Sequence, residues 1–151
     1  MPAYHLRYTQ ILPISIDEAW HFFSNPGNLC RITPQWLCFD IRYQDSDEMY
    51  PGMIIEYIIK AVAGIPMHWV TEITHVNKPV YFVDEQRLGP YRMWHHQHLF
   101  KQTRQGTEMT DLVHYSIYLD FLTRPVHHFM IRPRLEKIFS FRKETLEKIF
   151  S

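Results

Sequence analysis

Apolar and polar residues alternate along most of this chain, which predicts strands, and they change to a helical spacing near the two ends. Residues 4–12 alternate well enough for a first strand. Ser15, with Glu18 three positions later, has the pattern of a helix capping box, and apolar residues through Phe23 give that helix one apolar face. A second short helix is expected at residues 29–32.

Six further strands are predicted between residues 36 and 118, and most connections between them are short. They are expected at residues 36–43, 53–62, 67–76, 82–87, 94–100 and 107–118. Turn-forming pairs such as Pro51-Gly52 and Gly89-Pro90 separate several of them. Because short connections join antiparallel neighbours, the pattern predicts an antiparallel meander.

The last part of the chain, residues 123–151, has the spacing of a long helix. Its repeat is apolar with one charged interruption. The positions are Leu135, Ile138, Phe139, Arg142, Leu146, Ile149 and Phe150. Pro125 suits a first helical turn. Pro133 lies inside the pattern, where it removes a hydrogen bond and clashes with the preceding turn, so a kink or a break is expected there.

Unusual chemistry is concentrated in the hairpin at residues 82–100. If the hairpin closes around residues 88–92, side chains that share one face come opposite each other. The expected pairs are Gln86 with Trp94, Asp84 with His96, and Phe82 with His98. The next strand then brings Asp111 opposite His98 and Val113 opposite His96. The pattern therefore predicts two neighbouring carboxylate–imidazole pairs on one face.

This face is expected to line a ligand pocket. Buried polar groups are costly unless they are hydrogen-bonded, and a few convergent polar groups inside an aromatic frame are typical of a binding site. The expected inward-facing residues are Trp69, Thr71, Asp84, Gln86, Trp94, His96, His98, Asp111 and Tyr115. A solvated sheet face is the alternative, and the flanking rings argue against it.

The carboxylate–imidazole pairs allow two chemical interpretations besides ligand binding. A carboxylate beside a histidine can orient and strengthen a general base, so His96, His98, Asp84 and Asp111 are the catalytic candidates. No nucleophile or oxyanion donor accompanies them, which favours a structural network. His96 and His98, roughly 7 Å apart along a strand, also resemble a metal site of two histidines and a carboxylate. Because each histidine already has an aspartate partner, we expect no metal and no cofactor.

Composition fits one globular domain. Apolar residues make up 46% of the 151 positions, which is ample for a core, so residues 1–151 are expected to form a single domain. Sixteen basic residues balance sixteen acidic ones, so no net field favours nucleic acid or an anionic membrane. The ten histidines make the chain more positive as the pH falls toward 6.

The expected location is the cytoplasm. Cys30 and Cys38 are too few for a disulfide framework, fit no common zinc spacing, and are expected to be buried thiols. The first ten residues lack the apolar core of a signal peptide, and no apolar run reaches the length of a membrane span.

The element order resembles the helix-grip order of the START/polyketide-cyclase-like (SRPBCC) superfamily, and several motifs resemble one bacterial branch of it. These motifs are Asn25-Pro26-x-Asn28-Leu29, Ile32-Thr33-Pro34, the FVDEQR stretch at 82–87, Gly89-Pro90-Tyr91, Trp94-x-His96-x-His98-x-Phe100, Gly106-Thr107, Asp111, and Ile138-Phe139 with Arg142. The resemblance covers nearly the whole chain. Members of the branch are usually described as ligand-binding or cyclase/dehydrase-like proteins, and some resemble a domain fused to sugar-nucleotide-epimerase-like proteins.

The resemblance implies an α+β helix-grip fold, in which a curved antiparallel sheet of about seven strands wraps a long C-terminal helix, with two short helices after the first strand. It also implies a cavity between sheet and helix, although it supplies no reaction. The predicted function is binding of a small, largely apolar ligand there. The alternatives are a cyclase- or dehydratase-like enzyme that uses His96 and His98 with Asp84 and Asp111 as acid–base groups, and a partner-interaction domain with a vestigial cavity. The ligand's identity and the oligomeric state are left open.

Overall fold

A computed structural model describes residues 3–151, apart from the side chains of residues 62, 120 and 121. Its strands are β1 (Tyr4–Leu12), β2 (Asp40–Gln44), β3 (Ile54–Val62), β4 (Ile65–Asn77), β5 (Tyr81–Leu88), β6 (Met93–Thr103) and β7 (Gly106–Ser116). Its α-helices are α1 (Ile16–Phe23), α2 (Pro26–Leu29), α3 (Asp120–Val126) and α4 (Arg132–Ile149). This order confirms the predicted helix-grip arrangement.

Helix α1 begins as its sequence predicts. Ser15 accepts a hydrogen bond from the backbone of Glu18, and the Glu18 carboxylate accepts one from the backbone of Ser15, which completes the capping box. The second helix begins earlier than predicted. Asn25 caps it and Pro26 occupies its first turn. A 3-10 turn at Cys30–Ile32 then covers most of the range predicted for this helix.

Seven strands within the described residues form one antiparallel sheet in the order β1-β7-β6-β5-β4-β3-β2. The largest boundary error lies in β2, which was predicted to begin at residue 36. Gln35–Leu37 instead form a 3-10 turn that ends at Cys38 in the left-handed conformation (φ 49°). A strand cannot pass through that conformation, so β2 starts only at Asp40.

The predicted register is confirmed at the centre of the sheet. Phe82 pairs with His98 and Asp84 with His96 across β5 and β6. Across β6 and β7, His98 pairs with Asp111, His96 with Val113 and Phe100 with Met109. Because side chains alternate between faces, this register places every second residue of three neighbouring strands on the concave face.

The C-terminal helix changes its hydrogen-bonding pattern just before Pro133. Helix α3 continues into a π-helical turn at His127–Ile131, and α4 follows with Pro133 in its first turn. The predicted kink or break is therefore a local widening of the helix. Pro133 cannot donate to the preceding turn, and a π-turn releases the backbone there from regular i to i−4 bonding.

Helix α4 packs its apolar side on the concave face of the sheet. Leu135, Phe139 and Leu146 are buried, and the ring of Phe139 stacks on Tyr8 of β1 with 4.6 Å between ring centroids. Helix α1 closes one end, where Trp20 meets Phe82 and other rings edge to face. The sheet, α1 and α4 thus enclose one core with room left between them.

The two cysteines and the helix lengths bear on two further predictions from the sequence. Cys30 and Cys38 are free thiols, as expected, but both are exposed, so the expectation of buried thiols was wrong. They lie in and after the irregular turns that precede β2, outside the packed layers. Among the described residues, no helix combines the length and the apolar content that a membrane span requires.

Candidate functional site

A cavity of about 130 Å³ lies between the concave face of the sheet and α4. Most of its wall is apolar. The apolar and aromatic lining includes Phe22, Phe23, Ile32, Leu37, Phe39, Ile55, Tyr57, Ile59, Ile73, Phe82, Leu135, Ile138 and Phe139. The strands supply one wall, because every second side chain of a strand points toward the cavity. Helix α4 supplies the other wall.

Six of the nine predicted site residues line this cavity. They are Trp69, Thr71, Asp84, Trp94, His96 and His98. The aspartate and the two histidines come from the paired centres of β5 and β6, so they reach the cavity at one place. The polar part of the wall is therefore concentrated rather than scattered.

The other three predicted residues lie outside the cavity lining. Gln86 closes its own hairpin: Nε2 donates to the Tyr91 carbonyl at 2.6 Å, and Oε1 accepts from the Tyr91 amide at 3.1 Å. Tyr115 is fully buried, and its hydroxyl lies 2.8 Å from Nε2 of His127 in the π-turn. Burial raises the pKa of Tyr115 to about 12. Asp111 lies behind the histidines.

Five side chains, which we call the polar cluster, meet at this end of the cavity: Asp84, His96, His98, Asp111 and Arg142. His96 Nε2 lies 2.8 Å from Asp111 Oδ1, and His98 Nε2 lies 2.7 Å from Asp84 Oδ2. The second nitrogen of each ring faces the other carboxylate. His96 Nδ1 is 3.5 Å from Asp84, and His98 Nδ1 is 3.1 Å from Asp111.

Both of the expected carboxylate–imidazole contacts are present, but they are not the shortest ones. Asp84 was expected to pair with His96, and Asp111 with His98, as their backbone register implies. The shortest contacts are instead diagonal, because side chains lean along a strand and can reach the neighbouring position. Each aspartate contacts both histidines, whose rings lie 3.8 Å apart, so the two expected pairs form one network.

Arg142 completes the network and was not among the predicted site residues. Its Nη1 lies 3.3 Å from Asp111 Oδ2, and its side chain is buried in the sheet–helix interface. The signal was present in the sequence as the charged interruption in the apolar repeat of the C-terminal helix. A charged residue on an apolar helix face is costly unless a partner meets it.

Both aspartates of the network are held ionised. Burial alone would raise the pKa of Asp111, but the Arg142 guanidinium and the two imidazoles outweigh it and hold that pKa well below its usual range. The pKa of Asp84 is also lowered, because His96, His98 and Arg142 outweigh its burial. The cluster therefore contains two negative charges next to one permanent positive charge.

The two histidines are shifted in opposite directions. Burial would lower the pKa of His98, but the two carboxylates outweigh it and raise that pKa above its ordinary value. Burial and repulsion from His98 lower the pKa of His96. A charged His98 beside a neutral His96 balances Asp84, Asp111 and Arg142 to a net charge of zero, which is the least costly state for a buried cluster.

Aromatic rings form the rest of the cavity wall on the β3–β4 side. Trp69 packs edge to face on Trp94 with 5.4 Å between centroids, and it stacks on Tyr57 at 5.9 Å. Thr71 binds both neighbours, because Trp69 Nε1 donates to its hydroxyl at 3.0 Å and the Tyr57 hydroxyl lies equally close. Burial raises the pKa of Tyr57, so its hydroxyl stays protonated. Tyr57 was not predicted to be a site residue. The alternation of residues along β3 was the sequence signal that could have indicated its inward-facing position.

Three members of the polar cluster are also arranged as metal ligands could be. One ligand atom from each of Asp84, His96 and His98 lies within 4.8 Å of the others.

A second cavity of about 200 Å³ lies farther along α4, toward the π-turn. Leu37, Leu135 and Ile138 line both cavities and separate them.

Comparison with solved structures shows which fold this is. No protein-family model matches the chain, and no curated protein matches its sequence significantly. A ginseng major latex-like protein from Panax ginseng superimposes with a TM-score of 0.67 at 10% identity, over 98% of this chain and 97% of the other. TTHA0849 from Thermus thermophilus gives 0.65 at 11%, over 98% and 100%. The fold is the START-like helix grip.

A third similar structure is a biosynthetic protein of two domains. The di-domain ARO/CYC StfQ of the steffimycin pathway superimposes with a TM-score of 0.65 at 11% identity, over 97% of this chain and 52% of the other. At such identities the likeness establishes the fold alone. It confirms the predicted helix-grip architecture, and a shared fold does not fix the function.

Proposed function

We propose that this protein binds a small, largely apolar molecule that carries one polar group. The observation that carries the proposal is the distribution of polarity in the cavity. Apolar and aromatic side chains form most of its wall, and the polar cluster occupies one end. Such a wall favours burial of an apolar body, and a few convergent polar groups fix its orientation.

The cavity volume limits the size of this molecule. About 130 Å³ is close to the roughly 150 Å³ of an apolar cavity that holds benzene. A molecule built on a single ring is therefore the size expected for this cavity. Rotation of Leu37, Leu135 or Ile138 would join it to the second cavity, which would admit a longer molecule.

The polar group of the ligand is expected to meet the cavity-facing side of the polar cluster. Asp84, His96, His98 and Arg142 all reach the cavity, so both hydrogen-bond donors and acceptors are available. A hydroxyl or carbonyl suits this end, because it satisfies a buried polar group without adding charge. The aromatic wall would supply most of the affinity, at about 25 cal/mol per Å² of apolar surface buried.

Native mass spectrometry of freshly purified protein tests this proposal. We expect a co-purified small molecule that is released on denaturation. The matched control is Ile59→Phe, since Ile59 lines the cavity and is buried, and the larger ring would fill the space. The proposal is contradicted if the wild type binds no small molecule from a panel of substituted aromatic compounds, or if the filled variant retains the same molecule.

The alternative is an acid–base enzyme that uses the same cavity, as the sequence suggested. Its specific support is that two imidazoles and a carboxylate, the usual general acid–base groups, line the cavity wall side by side. The ARO/CYC name of one structurally similar protein is a further reason to test it. Incubation of an identified ligand with wild type and with His96→Gln, followed by product analysis, distinguishes binding from turnover.

A further inference from the structure

We propose that Asp84, His96 and His98 form a binding site for a divalent transition-metal ion, with Asp111 as the outer carboxylate that orients both histidines. The sequence pattern had favoured no metal, because it assigned one aspartate to each histidine. The structure removes that reason. Each histidine has one nitrogen toward Asp84 and the other toward Asp111.

The potential ligand atoms converge on one point at the cavity wall. His96 Nδ1 and His98 Nε2 approach the same Asp84 oxygen, Oδ2, at 3.5 and 2.7 Å. An ion about 2.0–2.2 Å from each nitrogen and oxygen requires ligand atoms roughly 3.0–3.5 Å apart. The Asp84–His96 distance already lies in this range, the Asp84–His98 distance would have to lengthen by a few tenths of an ångström, and all three ligand atoms lie within 4.8 Å of one another.

The outer contacts have the arrangement that metal-binding histidines need. Such histidines donate their other N–H to a carboxylate, which fixes the ring and strengthens the ligand. Here Asp111 Oδ1 faces both outer nitrogens, at 2.8 Å from His96 Nε2 and 3.1 Å from His98 Nδ1. Arg142 holds the other Asp111 oxygen at 3.3 Å, so that carboxylate remains an acceptor and does not compete for the ion.

One buried atom gives independent support. His98 Nδ1 is buried and makes no well-oriented hydrogen bond, although Asp111 lies close to it. With an ion on Nε2, the proton of His98 would reside on Nδ1 and point toward Asp111. Buried polar atoms are rarely left without a partner, and coordination at Nε2 would keep the proton on Nδ1, the atom that faces Asp111.

The ligand set indicates which ions would bind. Two imidazoles and one carboxylate suit Zn²⁺, Fe²⁺ or Co²⁺, whereas Mg²⁺ and Ca²⁺ prefer sites built from oxygen. Three protein ligands leave at least one position open, and all three residues line the cavity. A bound ion would therefore present its open position to a molecule inside the cavity.

Titration with Co²⁺, followed by visible absorption and by competition with Zn²⁺, tests this site without any organic ligand. We expect one ion per chain. His98→Gln and Asp84→Asn should weaken binding by about 100-fold or more, and Asp111→Asn by about 10- to 100-fold, as for other outer carboxylates. The matched control is His95→Gln. His95 lies on the same strand, has its own carboxylate partner, Glu85, at 2.6 Å, and is only partly buried. This variant should bind as the wild type does.

The wild-type protein provides a readout that does not depend on folding of the variants. Zn²⁺ should shift the imidazole NMR signals of His96 and His98 and leave those of the exposed His68 and His75 unchanged. Binding that survives in His98→Gln, binding that is lost in His95→Gln, or signals that shift only at surface histidines would overturn the proposal. Absence of Co²⁺ binding to the wild type at millimolar concentration would also overturn it. Cavity binding of an apolar molecule is a separate measurement and could succeed or fail independently.

Discussion

At the scale of single residues, the most consequential side chain is Arg142, the charged residue on the apolar side of α4. It meets Asp111 at 3.3 Å inside the interface between sheet and helix. A buried ion pair adds little net stability relative to apolar residues, but removal of one partner leaves a buried charge uncompensated. Arg142 therefore sets the charge balance on which the two histidines depend.

Arg142→Met should lower the free energy of unfolding by about 3–5 kcal/mol, because the buried cluster would keep two carboxylates against a single charged imidazole. Urea unfolding measures this change. The matched control on the same helix is Arg132→Met. Arg132 pairs with Glu136 at 3.1 Å, but both side chains are about half exposed. Its loss should cost only about 0–1 kcal/mol. Similar costs for the two variants would contradict the proposed role of the buried pair.

The lowered pKa of Asp111 also predicts a pH dependence. The carboxyl has a folded-state pKa well below its unfolded value of 3.8. Its contribution to stability is therefore fully present above the unfolded pKa and is lost as the pH falls through the folded pKa. Asp111→Asn should be less stable than the wild type at pH 7 and should lose less further stability between pH 5 and pH 2. Urea midpoints across that range check this, and parallel acid slopes for the two proteins would disprove it.

At the scale of elements, six of the seven strand starts were predicted to within two residues, whereas the second helix and the C-terminal helix each begin three residues before their predicted starts. The capping box at Ser15 formed as predicted, because both halves of it lie within one turn of chain. The start of β2 was misplaced, since nothing local to residues 36–39 reveals the left-handed conformation of Cys38. Pro133 indicated where the C-terminal helix departs from regular α-helical geometry. It did not predict that the departure would take the form of a π-turn.

Ser15→Ala tests the capping interaction directly. Loss of the hydroxyl leaves a helix amide without its acceptor, so the free energy of unfolding should fall by about 0.5–2 kcal/mol. Ser140→Ala is the control, because Ser140 is exposed inside α4, where alanine is the better helix former. That variant should be neutral or slightly more stable. If thermal unfolding shows equal effects for the two variants, the capping box contributes nothing measurable.

At the scale of the whole molecule, alternation along the strands and the helical repeat were sufficient to predict the sheet register and the concave face. They brought Asp84, His96, His98 and Asp111 together from three strands. The shorter, diagonal contacts between these side chains could not be predicted, because a backbone register does not show which way each side chain leans. Gln86 and Tyr115 were misplaced for a related reason. Their face was right, but their hydrogen-bond partners at Tyr91 and His127 hold them out of the cavity lining.

We expect the cavity to bind an apolar body and the polar cluster to recognise one polar group on it. Calorimetric titration with p-cresol and p-xylene tests it most directly, because the two molecules have nearly the same shape and differ by a hydroxyl in place of a methyl. Transfer from water alone favours p-xylene. Relative to transfer from water, a hydrogen bond to the cluster, worth about 0.5–1.5 kcal/mol, should shift the preference of the wild type toward p-cresol by roughly two- to tenfold.

The variants identify the source of that preference. His98→Leu should bind p-xylene and lose the preference for p-cresol, whereas His95→Leu, altered on the opposite face of the same strand, should keep it. Ile59→Phe should bind neither molecule. The account is contradicted if the wild type binds neither compound, or if the preference for p-cresol is unchanged in His98→Leu.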